Sequence, residues 1–202
     1  MGTIFYRNET LEAVARNTLL EFNENYLIEK PQAIPLEKII EEHGLNIEYK
    51  YLTNNGRELG RMIYDDGYTT YYDTDINDYN LLKISAGTIM IDARLLECPN
   101  CFGRYRFTLA HEFAHWLIHQ MVFTTVNEAA ALYEHNDDDD ESERQANALA
   151  TALLMPAGQI KKSFYSVRHN LTSKKDIITE MAKIFEVSKQ SMSFRLEHFA
   201  LI

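Results

Sequence analysis

Residues 104–122 constrain the fold of this chain most, because their apolar side chains recur at the three- and four-residue steps of a helix. The apolar set is Phe107, Leu109, Ala110, Phe113, Ala114, Leu117 and Ile118. Two histidines, His111 and His115, stand four residues apart in the same segment. Residues four apart lie on one face of a helix, so the two imidazoles point to one place. The spacing therefore predicts a core helix that presents a pair of metal-binding groups.

Glu112 follows the first histidine and completes the pattern His-Glu-x-x-His. Beside a catalytic Zn²⁺, such a glutamate can reach a water molecule in the open coordination position. It can then take the proton of that water during attack on a carbonyl. A solvated histidine pair without metal is the alternative, and the amphipathic setting of the motif favours zinc. We therefore predict a zinc site with Glu112 as general base.

The third zinc ligand has to come from elsewhere in the chain. An extended motif would require glycine at position 118 and histidine at position 121, where the chain has Ile118 and Met121. The remaining arrangement, His-His-Glu, takes its glutamate from a later helix, and Glu143 begins such a helix. Asn147 lies one turn beyond on the same face and can accept the free ring N–H of a liganding histidine.

His119 continues the face of the two motif histidines by one more turn. Three histidines in line on a helix cannot all reach one tetrahedral ion at about 2 Å, because each turn advances about 5.4 Å. We expect His119 to support a ligand, to cap the helix or to lie on the polar surface.

The remaining periodicities predict an α+β fold. Helical spacing indicates helices over residues 9–28, 36–42, 104–122, 143–155, 157–167, 176–185 and 188–199. Segments rich in β-branched and aromatic residues predict strands over residues 45–51, 60–64, 68–72 and 87–92. We expect a small, mostly antiparallel sheet packed on the histidine-bearing helix, and a helical C-terminal part. Residues 1–170 would form the main domain, and residues 171–202 a helix-turn-helix-like pair packed on it.

Composition narrows the functional classes. The chain has 20 Lys plus Arg against 30 Asp plus Glu, a formal net charge of -10, which opposes general attraction to nucleic acid. The acidic run at residues 136–141 is typical of a solvated, mobile loop rather than of a calcium site. No apolar run approaches the roughly 20 residues that cross a bilayer, and the N-terminus does not resemble a signal peptide. We expect a cytoplasmic protein without membrane contact.

Cys98 and Cys101 have C-x-x-C spacing, but no second pair completes a zinc knuckle. Two reduced thiols in a turn made by Pro99 and Asn100 are the expectation. Redox or metal use of the pair is the alternative.

The motif-bearing segments resemble the ImmA/IrrE metallo-endopeptidases. The resemblance is carried by residues 104–116 (RYRFTLAHEFAHW), by Glu143-x-x-Ala146-Asn147 and by residues 153–156 (LLMP). It implies a zincin-like fold, with zinc held by His111, His115 and Glu143. It also implies a protein substrate, typically a helix-turn-helix repressor whose cleavage releases genes of a mobile element or a stress response.

Two other functions remain open at this point. The chain can act as a non-proteolytic anti-repressor or toxin-like partner, or it can contact DNA through Lys189 and Arg195 of the C-terminal helices. If the chain is a zinc endopeptidase, a neutral hydrogen-bond donor should stabilise the oxyanion that forms during peptide cleavage. The candidates for this donor are Tyr105, Tyr165 and His169.

Overall fold

The computed structural model describes residues 6–125 and 140–202, with the side chains of residues 119–125 left out. Its helices are α1 (Asn8–Asn23), α2 (Asn25–Ile28), α3 (Leu36–Glu42), α4 (Arg94–Glu97), α5 (Phe102–Thr125), α6 (Asp140–Leu154), α7 (Ala157–Arg168), α8 (Lys174–Phe185) and α9 (Lys189–His198). Its strands are β1 (Asn46–Lys50), β2 (Gly60–Ile63), β3 (Gly67–Asp73), β4 (Asp78–Ile84) and β5 (Thr88–Asp92). This mixture confirms the predicted α+β class.

The predicted small sheet is present and most of its strand pairings are antiparallel, but the strands are divided between two sheets. Three strands form a mixed sheet in the order β1-β5-β2, in which β5 pairs parallel with β1 and antiparallel with β2. Strands β3 and β4 form a separate antiparallel hairpin. The sequence did not reveal β4 because five of its seven residues are exposed, so no buried face imposes an alternating pattern.

The predicted helix over residues 9–28 is interrupted after Asn23. There the side-chain oxygen of Asn23 accepts a hydrogen bond from the backbone N–H of Asn25 at 3.0 Å. Asparagine side chains compete in this way with the helix for backbone groups, and the break separates α1 from the short α2.

Helix α5 lies at the centre of the molecule, between α6 and the mixed sheet. Leu109, Ala110, Phe113 and Ala114 are fully buried, which confirms the core face predicted from the periodicity. Burial of this stripe fixes the rotation of α5 about its axis. The rotation in turn decides where the motif side chains point.

The C-terminal helices α8 and α9 share the hydrophobic core of α5 and α6, to which they contribute Ile177, Met181, Phe185, Met192 and Leu196. At Gly103 of α5 the backbone of the α8–α9 turn comes so close that a Cβ would lie 2.6 Å from the Ser188 nitrogen. The domain boundary at residue 170 stays a prediction.

Arg195 of α9 is almost fully buried. Its guanidinium donates to both carboxylate oxygens of Glu12 on α1, at 2.5 and 3.0 Å, and to the Met155 carbonyl at the end of α6, at 2.8 and 3.0 Å. Arg195, a candidate for DNA contact in the sequence analysis, is therefore buried and hydrogen-bonded within the protein, whereas Lys189 is exposed.

The acidic run is part helix. Asp140 and Glu141 belong to the first turn of α6, where carboxylates are stabilised by the helix N-terminus. Arg144 binds Glu141 through two hydrogen bonds of 2.8 and 2.7 Å and lowers the pKa of that carboxyl. Residues 136–139 and the side chain of His119 lie outside the described residues.

Among the described helices, none is long and apolar enough to cross a membrane.

The expectation of two reduced thiols is wrong in this structure, since Cys98 and Cys101 form a disulfide. The backbone N–H of Cys101 donates to the Cys98 carbonyl at 3.1 Å, which closes a turn. The turn brings the two Cα atoms to 5.2 Å, a separation that a disulfide can bridge.

Candidate metal centre

Three side chains converge where α5 crosses the start of α6. The Nε2 atoms of His111 and His115 lie 3.1 Å apart. One carboxylate oxygen of Glu143 lies 3.1 Å from the His111 nitrogen, and the other lies 3.1 Å from the His115 nitrogen. These are the three residues that the sequence predicted as ligands. Within the described part of the chain, no other group of three such side chains comes together as a possible metal site.

Small residues make this convergence possible. Ala146 and Ala150 of α6 are fully buried and belong to the core that α6 shares with α5. Short side chains at a helix crossing allow the two axes to approach closely. Glu143, one turn before Ala146, thereby reaches across to the histidine face of α5.

Asn147 fixes the orientation and the proton of His111. Its side-chain oxygen lies 3.1 Å from Nδ1 of His111. An amide oxygen only accepts, so Nδ1 donates in this contact, and Nε2 is the ring nitrogen that faces the other two groups. The structure thus places Asn147 where the sequence predicted it.

The donor set fits a zinc ion. Lone pairs of two imidazoles and a carboxylate oxygen facing one another repel unless a cation or a proton lies between them. Donor atoms held about 2.0–2.1 Å from one tetrahedral ion lie about 3.3 Å from each other, close to the 3.1 Å separations found here. All three donors line one solvent-accessible cleft, from which a further ligand can reach an ion bound between them.

This cleft has a volume of about 370 Å³ and borders the three donors. It is lined by Glu58, Gly60, Arg61, Met62, Tyr64, His111, Glu112, His115, Ser142 and Glu143. Glu112 is only 8% exposed, and its carboxylate forms part of the cleft wall. A carboxylate in this place can act on a molecule that enters the open position.

Gly60, at the start of β2, is a site residue that the sequence did not reveal. A Cβ atom there would lie 2.5 Å from Oε1 of Glu112 and 2.8 Å from a methyl carbon of Thr108. The strand backbone therefore packs directly against the predicted base. A glycine inside a strand pattern indicates such close approach in general, and this was the one available signal.

The comparisons with known proteins bear on this site. Residues 70–197 match the model of a peptidase family described as the IrrE N-terminal-like domain. The chain belongs to this family. Membership confirms the resemblance seen in the sequence. The matched range of this IrrE-like domain includes all three candidate ligands as well as Glu112 and Asn147. Gly60 lies before it.

Among solved structures, the IrrE-like chain is similar to a Mycobacterium tuberculosis transcriptional regulator, at 16% identity and a TM-score of 0.49. The similarity covers 94% of this chain and 57% of the other, so the chain spans little more than half of the length of that protein. A search of curated proteins found no match.

The three oxyanion candidates from the sequence do not line the described cleft. Tyr105 is buried, its hydroxyl lies 2.9 Å from that of Tyr49, and burial raises its pKa above the usual value. Tyr165 is exposed on α7, and His169 ends that helix. Periodicity predicted the helices correctly but could not show which helix faces border the cleft.

Proposed function

We propose that this IrrE-like chain is a zinc-dependent endopeptidase whose metal is held by His111, His115 and Glu143. The observation that carries the proposal is the convergence of these three donors beside Glu112 in an open cleft. A bound zinc ion would polarise the scissile carbonyl and acidify the attacking water.

Glu112 would accept the proton of that water and deliver it to the departing amine. Its side chain is buried and lies against the backbone of Gly60, which limits the positions that the carboxylate can take. Asn147 would keep Nε2 of His111 unprotonated through the hydrogen bond at Nδ1.

The position of the outer strand β2 favours a polypeptide as the substrate. In its ladder with β5, the Leu59 carbonyl accepts from the backbone N–H of Asp92 at 2.9 Å. Because antiparallel strands alternate, the main-chain groups of Gly60 and Met62 point away from β5, along the edge that borders the cleft. Such an edge can pair with an extended peptide beside the metal centre.

The resemblance to ImmA/IrrE endopeptidases favours a helix-turn-helix repressor as the substrate, cleaved in the cytoplasm to derepress mobile-element or stress genes. A small helix-turn-helix protein encoded next to this chain is the first substrate to test.

The decisive experiment compares the wild type with Glu112→Gln on that substrate. We expect cleavage to fall by about 10²- to 10⁴-fold while zinc content stays unchanged, because only the proton acceptor is lost. Glu141→Gln, which changes a carboxylate bound to Arg144 outside the cleft lining, is the matched control. Cleavage at the wild-type rate by Glu112→Gln contradicts the mechanism. Release of the repressor from DNA without cleavage, by both proteins, indicates the non-proteolytic anti-repressor.

A further inference from the structure

The disulfide between Cys98 and Cys101 lies outside the metal centre. Cys101 precedes α5, and His111 follows it by ten residues, which corresponds to about 15 Å along a helix. Neither sulfur can therefore bind the ion at His111 and His115. The metal centre therefore does not explain the cysteine pair.

Cys101 stands at the start of α5. Its carbonyl accepts the first helical hydrogen bond, from the Tyr105 backbone N–H at 2.7 Å. The N–H groups of the residues before Tyr105 have no acceptor within the helix, and the first turn contains no acidic side chain. The helix N-terminus therefore stabilises the thiolate that forms on Cys101 when the disulfide breaks.

Cys98 has no such support, because it ends the short helix α4. The two cysteines are partly exposed, and Pro99 and Asn100 between them are exposed. Leu96 and Phe102, which flank the pair, are 54% and 52% exposed. An incoming sulfur can thus reach this turn, and the two apolar side chains offer contact area to the molecule that carries it.

Contacts other than the disulfide also hold this end of α5. Beyond it, α5 is held by the Tyr105–Tyr49 hydroxyl contact and by Arg106, which donates to the Ile34 carbonyl at 2.7 Å. The backbone contact at Gly103 also remains. The loop that the disulfide closes is very short, so the cross-link restricts the unfolded chain little. The bond can open while the rest of the molecule stays folded.

We propose that Cys98 and Cys101 form a thiol–disulfide exchange site whose reductant is a dithiol. A thiolate of the dithiol attacks Sγ of Cys98, the bond between the two cysteines breaks, and Cys101 leaves as a thiolate that takes up a proton. The second thiol of the reductant then displaces Cys98 from the mixed disulfide. Two electrons and two protons pass to the protein, and the dithiol becomes a disulfide.

The test uses the full chain in buffers of reduced and oxidised dithiothreitol, with free thiols counted by alkylation and mass spectrometry. We expect reversible reduction with unchanged circular dichroism. With glutathione and acid quenching, the mixed disulfide should be found on Cys98. A disulfide that opens only after unfolding, or glutathione found on Cys101 alone, overturns the proposal.

Arg104, exposed in the first turn of α5, provides a matched pair of variants. Arg104→Glu places a carboxylate near a departing Cys101 thiolate, whereas Arg104→Gln does not. Relative to Arg104→Gln, we expect Arg104→Glu to lower the rate constant for reduction by the dithiol roughly two- to five-fold, because the carboxylate disfavours the departing thiolate. Equal constants for the two variants contradict the role of the helix N-terminus. This readout requires no peptidase activity and is independent of the proposed function.

Discussion

The helix pair α5–α6 and the helix pair α8–α9 both carry polar side chains into the protein, but they leave them in opposite states. In α8–α9, buried Arg195 meets Glu12 and the Met155 carbonyl, so donors face acceptors. In α5–α6, two imidazole nitrogens and a carboxylate face one another at 3.1 Å. The first arrangement is complete, whereas the second requires a cation or a proton between its three groups.

This difference separates a structural polar contact from a ligand site. Buried polar groups whose hydrogen bonds are satisfied within the protein contribute to one fixed packing. Imidazole nitrogens and a carboxylate that converge are stabilised by positive charge between them, and a bound ion supplies that charge. Exchanging side chains in the two pairs should therefore change different properties, metal binding in one and stability in the other.

The largest effect is expected for Glu143→Ala. This variant removes the anionic member of the donor set, so zinc affinity should fall by more than about 100-fold, beyond the usual cost of losing a residue that only supports a ligand. Competition with a chelator and metal analysis measure the loss. Glu141→Ala, two residues earlier on α6, is the control and should keep wild-type affinity. Unchanged zinc stoichiometry in Glu143→Ala means that another residue is the third ligand.

Arg195→Met tests the other helix pair. It leaves the Met155 carbonyl and Glu12 without their donor, and we expect a loss of about 3 kcal/mol in the free energy of unfolding. This value is at the low end for a broken buried pair, because the Glu12 side chain remains 29% exposed. Urea denaturation provides the measurement.

Lys189→Met is the matched control on the same helix, since Lys189 is exposed and should change stability by less than about 0.5 kcal/mol. If Arg195→Met were as stable as the wild type, the contrast between the two helix pairs would be lost.

Gly60→Ala should lower cleavage by about 100-fold while zinc remains bound. The new Cβ would lie 2.5 Å from Oε1 of Glu112, so the carboxylate has to move, and displacements of about 1 Å in an active site cost rate on this scale. Gly67→Ala in β3, where a Cβ meets no atom within 4 Å, is the control. Steady-state kinetics beside metal analysis separate this effect from loss of the ion, and equal rates for both variants would exclude Gly60 from the site.

The smallest effect is expected for Asn147→Ala, which removes the acceptor of the His111 ring proton. Zinc affinity should fall about 10- to 100-fold. Asn147→Asp keeps an acceptor oxygen and should retain most of the affinity, and Thr151→Val, one turn further along α6, should leave it unchanged. An equal loss in the alanine and aspartate variants would show that the hydrogen bond is not the cause.

Expectations that depend on neighbours within one helix agree well with the structure. The buried stripe of α5 follows from spacing alone, as does the common direction of His111 and His115. Glu143 and Asn147 also share a face by spacing, although their meeting with α5 required the correct pairing of two helices. The sequence indicated the pairing of α5 with α6 only through the small alanines of α6, which allow a close helix crossing.

Expectations that depend on contacts between distant segments were less successful. The approach of β2 to Glu112 joins residues far apart in the chain, and no local pattern encodes it beyond the presence of a glycine. The pairing of β1 with β5 is parallel, although short strands separated by turns indicated hairpins. The sequence also could not show that Tyr105, Tyr165 and His169 lie outside the lining of the cleft.

The sequence alone determined which residues of this IrrE-like chain can carry chemistry, because residue type and a four-residue helical period are local properties. It also indicated the longer helices, with boundaries that differ by only a few residues at most ends, but neither the short α4 nor the break between α1 and α2. Only the tertiary structure decided that His111, His115 and Glu143 converge, that Arg195 is satisfied internally and that Gly60 lies against the predicted base. These properties depend on how buried faces pack, and packing is decided by contacts that span the whole chain.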